Sequence, residues 1–188
     1  IFGSAFYRAQ VGSFVDSLSS VDVSPGEEAD FERLRDQQMA RIETAAPEGT
    51  TVVGVKTREA SVVYGRDEVL GRVKSVERPR LMLSAARGEI PRTWRSGAVV
   101  GATVAQREGI RVGDSLRVDG DVYRVRAVLE AESSVLSPDY AVFVPPNRLG
   151  PGYDSALVRA DDTATAFATA TRLDDRLNAG RNRYHVRD

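Results

Sequence analysis

The dipeptide Asp119-Gly120 constrains this chain more than any other feature. A two-residue type I′ turn needs positive φ at both central positions, and aspartate followed by glycine meets that demand. Before it lies Ser115 to Val118, with Leu116 and Val118 on one face. After it comes Val122 to Glu130, where Tyr123, Val125, Ala127 and Leu129 alternate with Arg124, Arg126 and Val128. Successive strand residues point to opposite faces, so the pair folds as a hairpin with one buried side. The preceding residues extend the unit. Ala98-Val99-Val100 reads as a short buried strand, and Ala102 to Glu108 as one or two helical turns closed by Gly109. Val112-Gly113-Asp114 then turns the chain into the hairpin.

Elsewhere the signals are less dense. Phe2, Phe6, Ala9 and Leu18 recur near helical spacing, with Phe14 close to the same stripe, and predict a helix over residues 2–20. Ser24-Pro25-Gly26 breaks it. A second helix is predicted from Glu27 to Ala45, with Phe31, Leu34, Gln38 and Ile42 on one face and its acidic residues in the first turn. Thr51 to Lys56 and Ala60 to Tyr64 are β-rich, and the short Thr-Arg-Glu between them suggests a hairpin. Between Gly65 and Gly97 only Leu81-Met82-Leu83 reads as a strand. Tyr140 to Val144, Ala156 to Ala160 and Tyr184 to Val186 complete the strands. A helix from Ala164 to Asn178, capped by Asp161 or Asp162, carries Phe167, Ala170/Thr171 and Leu173/Leu177 on its apolar side. This order argues for an α+β fold: a small mixed or antiparallel sheet with packing helices, an N-terminal helical stalk, and a second, variable lobe at 65–97. The division expected is a stalk and acidic helix over 1–48 and a core domain over 49–188.

Composition excludes whole classes of chemistry. The chain has 188 residues, of which 41% are hydrophobic and 28% charged, enough for a real core under a solvated surface. It has no cysteine, which removes disulfides, thiol catalysis and Cys-based zinc sites. A net charge of -1 gives no reason to expect nucleic acid as a partner. The charge is unevenly placed: acidic from Glu27 to Glu48, basic from Arg66 to Arg95. Two solvated faces account for it; the sharper alternative is a docking surface for a partner. Neither a phosphate-binding G-x-x-x-x-G-K-[ST] nor a G-x-G-x-x-G after a strand is present. His185 is the single histidine, so a Ser-His-Asp triad would have to use it. Asp119/Asp121, Asp161/Asp162 and Asp174/Asp175 fall where turns and caps call for aspartate. Glu130 and Glu132 are the remaining acid pair, and Lys56 and Lys74 are the only lysines. No catalytic, cofactor-binding or metal-ligating residue is expected. Trp94 with Arg92 and Arg95 forms an aromatic and arginine cluster of the kind enriched at interfaces, and is the candidate partner contact; the competing and favoured reading makes Trp94 an anchor covering the edge of the core.

One segment carries a family resemblance. Gly101-x-x-x-Ala105-x-x-x-Gly109-x-x-Val112-Gly113-Asp114-x-Leu116-x-Val118-x-Gly120-x-x-Tyr123-x-Val125 resembles the signature of the MacB-like periplasmic core domain of FtsX-type ABC transporter permeases. Val52-Val53-Gly54-Val55, Asp139 to Pro145 and Ala156 to Ala160 followed by a helix resemble that family's other strands, extending the likeness over about residues 50–188. Ala127 departs from the pattern, standing where the family often has glycine. The resemblance implies an extracytoplasmic domain excised from between two membrane spans, on the outer face of the cell membrane. It implies a non-catalytic role, relaying ATP-driven motion to a substrate or partner. Its implied partners are a cytoplasmic ABC ATPase, a second permease subunit in a dimer, and an extracytoplasmic protein; no cofactor is implied. The competing readings are a free-standing binding or adaptor module, and a hydrolase using Glu130/Glu132 or His185.

Overall fold

A computed structural model describes residues 20–131 and 141–188. In chain order the elements are β1 (Ser20–Pro25), α1 (Asp36–Ala45), β2 (Thr51–Tyr64), β3 (Asp67–Val76), α2 (Pro79–Met82) and β4 (Ala85–Gly88). Then come β5 (Ala98–Val100), α3 (Ala102–Glu108), β6 (Ser115–Val118), β7 (Asp121–Leu129) and β8 (Ala141–Phe143). A 3-10 turn (Pro146–Arg148), β9 (Ser155–Arg159), α4 (Thr163–Leu177) and β10 (Tyr184–Arg187) finish the chain. The fold is α+β, as the pattern predicts. The helix predicted over 2–20, apart from Ser20, lies outside the described residues, as do Glu132 and Asp139-Tyr140. Ser20 itself opens β1.

The described residues form two compact units, one of residues 20–55 with 151–188 and one within residues 56–150. In the first, β10, β1, β9 and the first half of β2 pair antiparallel in that order. Val21, Val23, Val52, Ala156 and Val158 of these strands share a core with Ile42 of α1 and Leu173 of α4. The α4 helix begins at its cap, where Asp162 accepts from the Thr165 amide at 2.8 Å. It ends at Asn178, whose side chain donates to the Tyr184 carbonyl at 2.8 Å and accepts from the Tyr184 amide at 2.9 Å. That pair of bonds fastens the helix end to β10.

Two expectations about these helices are corrected. Residues 27–35 are not helical; the helix starts at Asp36. The Leu34 amide, which would have made an i→i−4 bond, donates instead to Tyr153 O at 2.7 Å, and the Glu28 amide is tied to Asn182 O at 3.2 Å. Arg33 reaches Asp154 at 2.9 Å. Phe31 and Leu34 still turn toward the core, but from an irregular segment, and Phe31 lies 5.4 Å from the Tyr184 ring. On α4 the buried residues are Ala166, Thr169 and Leu173, whereas Phe167 is 67% exposed. The expected Leu173, Ala170 and Leu177 do pack on the core, and only Phe167 and Thr171 of the expected face turn outward, their place taken by Ala166 and Thr169.

In the second unit the pairings close a ring. The second half of β2 neighbours β3, β3 runs parallel to β8, β8 antiparallel to β5, β5 parallel to β7, β7 antiparallel to β6, and β6 antiparallel to β2. Six strands thus make a small barrel, and closure removes free edges. Val62, Val73, Val100, Leu116, Val118, Val125 and Val142 belong to its core. Outside the ring, β4 joins β7 antiparallel.

Here too the sequence misleads in places. Thr57-Arg58-Glu59 is not a turn: β2 runs unbroken for 14 residues. Its second half is held to β6, with Asp119 accepting from the Ser61 amide at 3.0 Å and pairing with Arg58 at 2.9 Å. The reversal comes later, at Gly65, and β3 follows where no strand is predicted. Leu81-Met82-Leu83 is no strand; Pro79 to Met82 form a helical turn, which proline at its first position favours. The hairpin expected at Asp119-Gly120 is present, with φ of 49° and 89°.

Lys56 and Gly150 begin and end this unit. The Lys56 ammonium is buried and donates to the carbonyls of Pro146, at 2.9 Å, and Gly150. Lys56→Met keeps the stem but strands those carbonyls, and urea unfolding should register a loss of about 1–3 kcal/mol.

Candidate functional site

The signature segment is built around one carboxylate. The α3 helix ends at Gly109 in the left-handed conformation, and the chain turns through Arg111 to Asp114. The Asp114 carboxylate accepts from the Arg111 amide and from the Tyr64 hydroxyl, each at 2.9 Å. The backbone of Asp114 also bonds β7, its carbonyl accepting from the Val125 amide at 2.8 Å. One aspartate therefore fixes the turn, the hairpin and the end of β2. The Arg111 amide, then the Tyr64 hydroxyl, hold the Asp114 carboxyl below the usual carboxylate range. The same bond raises the Tyr64 phenol. The Thr165 amide likewise lowers Asp162.

Both aspartates have lowered folded pKa values, so their stabilisation is complete above the ordinary carboxylate value near 3.8. It is lost as pH falls through the lowered folded value. Asp114→Asn should therefore be less stable than the parent chain at neutral pH, with the gap closing as urea denaturation is repeated down to about pH 3. A gap independent of pH would mean that the ionised carboxylate is not what holds the turn.

The candidate contact residues do not form a single exposed cluster. Trp94 is buried, 7% exposed, and its indole N–H donates to Gly97 O at 3.0 Å. Arg92 and Arg95 are exposed. Sequence reasoning missed what lies around Arg92: a cavity of 520 Å³ lined by Arg80, Glu89, Pro91, Arg92, Thr93 and Arg126. Arg80 pairs with Glu89 at 2.5 Å and donates to Ile90 O at 2.8 Å. The alternation of Arg124 and Arg126 along β7 is the sequence signal for that surface, because it puts both on the face away from the core.

His185 lies on β10 with its side chain exposed, and Glu130 is exposed at the end of β7. Among the described residues no group of His, Asp and Glu is arranged to hold a metal ion. No helix among the described residues is long and apolar enough to cross a membrane.

The fold is that of extracytoplasmic regions of transporters. The periplasmic region of MacB from Actinobacillus actinomycetemcomitans superposes with a TM-score of 0.66 at 11% identity, covering 93% of this chain and 90% of that one. The extracellular domain of the noncanonical ABC-type transporter YknZ from Gram-positive bacteria gives 0.63 at 13% identity, over 90% and 100% of the two chains. A domain of a permease protein from Porphyromonas gingivalis gives 0.54 at 12% identity, over 92% and 89%. The sequence itself matches the MacB-like periplasmic core domain over residues 1–176, and the chain belongs to that family. No curated protein sequence matches it.

Proposed function

We propose that this chain is the extracytoplasmic domain of an ABC transporter permease and that it relays ATP-driven motion to a substrate or a partner protein. Family membership over residues 1–176 carries the reading. In it, a cytoplasmic ATPase closes on ATP, membrane helices on either side of this domain move, and the domain changes state as a whole. The permease works as a dimer, with this domain on the outer face of the cell membrane. Nothing in the relay needs covalent chemistry, so no residue is assigned a catalytic role.

The test uses the intact permease with its ATPase in proteoliposomes. This chain brings no cysteine, so spin labels can be placed at Glu43→Cys in one unit and Arg95→Cys in the other. The distance distribution should shift between the nucleotide-free and ATP-bound states. An identical distribution in both, from a permease that still hydrolyses ATP, would sink the relay. A parent protein lacking apolar spans on both sides of residues 1–188 would favour the binding module instead.

A further inference from the structure

We propose that β4 and the arginines around it form a docking surface for an extended, acidic segment of an extracytoplasmic partner protein. The proposal takes only the partner's compartment from the relay reading. Three observations converge on this surface. Among the described residues β4 ends the strand order, so one of its edges is open. Its sequence, Ala85-Ala86-Arg87-Gly88, offers that edge with almost no side-chain bulk, and Ala86, Arg87 and Gly88 are exposed. An edge of this kind is what an added strand pairs with.

The charge around it is mainly basic. Residues 56–150 hold 16 Lys and Arg against 12 Asp and Glu. The irregularity between Ala85 and Arg87 shifts the register, so Arg87 stands opposite Val128. Opposed residues share a face, which puts Arg87 on the side of Arg124 and Arg126. Among the described residues Arg87, Arg92, Arg95 and Arg126 make no salt bridge, and the nearby Glu89 is already held by Arg80. The third observation is shape: the 520 Å³ cavity with Arg92 and Arg126 in its wall is lined also by Glu89, the residue after β4.

These features favour an extended peptide over a membrane surface. Lipid headgroups would neutralise the arginines but leave the strand edge unused. A peptide strand satisfies the edge and points alternate side chains to one face, where carboxylates meet guanidinium forks in paired hydrogen bonds.

The probe is a short fluorescein-labelled peptide of alternating Glu and Val, with a Gln and Val peptide as its control, titrated into the 188-residue chain by anisotropy. The Glu peptide should bind saturably, and the Gln peptide about tenfold or more weakly. Affinity should fall between about 0.01 M and about 0.15 M salt, as the screening length shrinks from about 30 Å to about 8 Å. Arg87→Glu with Arg92→Glu, both exposed and therefore benign to folding, should cost about tenfold or more. Amide shifts of Ala86 to Gly88 on titration would place the peptide on the edge. No saturable binding, or binding that ignores the arginine reversals or leaves those amides unmoved, overturns the proposal. So does arginine-dependent binding to phosphatidylglycerol vesicles in place of the peptide. None of these failures touches the labelled-permease experiment, which stands or falls by itself.

Discussion

Trp94→Ala should destabilise the chain by about 3–5 kcal/mol in urea unfolding, the cost usual for truncating a buried aromatic residue. The reason is geometric. The ring is 7% exposed, and its N–H is used by Gly97 O at 3.0 Å. Truncation removes the apolar area, opens a cavity, and leaves a carbonyl without its donor. Trp94→Phe separates these effects: it keeps most of the ring and should cost about 1–2 kcal/mol, chiefly the lost hydrogen bond and a smaller gap. Arg95→Ala, one residue away and exposed, should be nearly silent, within about 0.5 kcal/mol. If Trp94→Ala were as silent as Arg95→Ala, the indole would have to be surface-mounted, and its reading as a partner contact would return.

The same contrast explains what the sequence discloses. The Asp119-Gly120 turn, the Gly109 stop and the Asp162 cap are each decided within four residues, by φ requirements or a single side-chain bond. Such signals survive without knowledge of the fold. The strand β3 is the opposite case. Its exposed residues include Val69 and Leu70, while Lys74 and Ser75 are buried between Val73 and Val76, so no alternation marks it as a strand. Its parallel partner β8 lies about seventy residues away in sequence, and nothing local announces that pairing. Residues 27–35 mislead for a related reason: Phe31 and Leu34 sit at helical spacing, yet backbone bonds to the distant Tyr153 and Asn182 decide their course. At the candidate site, the basic run from 66 to 95 was visible as charge. That Trp94 turns inward, and that Arg126 from another strand joins Arg92 at a cavity, depends on tertiary packing alone.

Gly88→Val should be the most damaging change to the docking surface, costing about 3–5 kcal/mol and detaching β4 from β7. Gly88 has φ of +75°, and a Cβ there would lie 2.1 Å from Arg126 O and 3.0 Å from the Ala127 Cα. Both obstacles are backbone atoms of a strand committed to the barrel, so no side-chain rotation relieves them. Ala127, which stands where the family often has glycine, is the register partner of Gly88. The close approach of the two strands is therefore provided from the β4 side of the pair. Gly120 supplies the control. Its φ is +89°, but nothing lies within 4 Å of an added Cβ, so Gly120→Ala should cost only the conformational term, about 1 kcal/mol. Subtracting that from Gly88→Ala isolates the steric contribution. Hydrogen exchange gives the decisive reading: in Gly88→Val the amides of β4 should lose protection while those of β5 and β8 keep theirs, because the six-stranded ring closes without β4. Loss of protection throughout residues 56–150 would instead make β4 part of what holds the barrel shut.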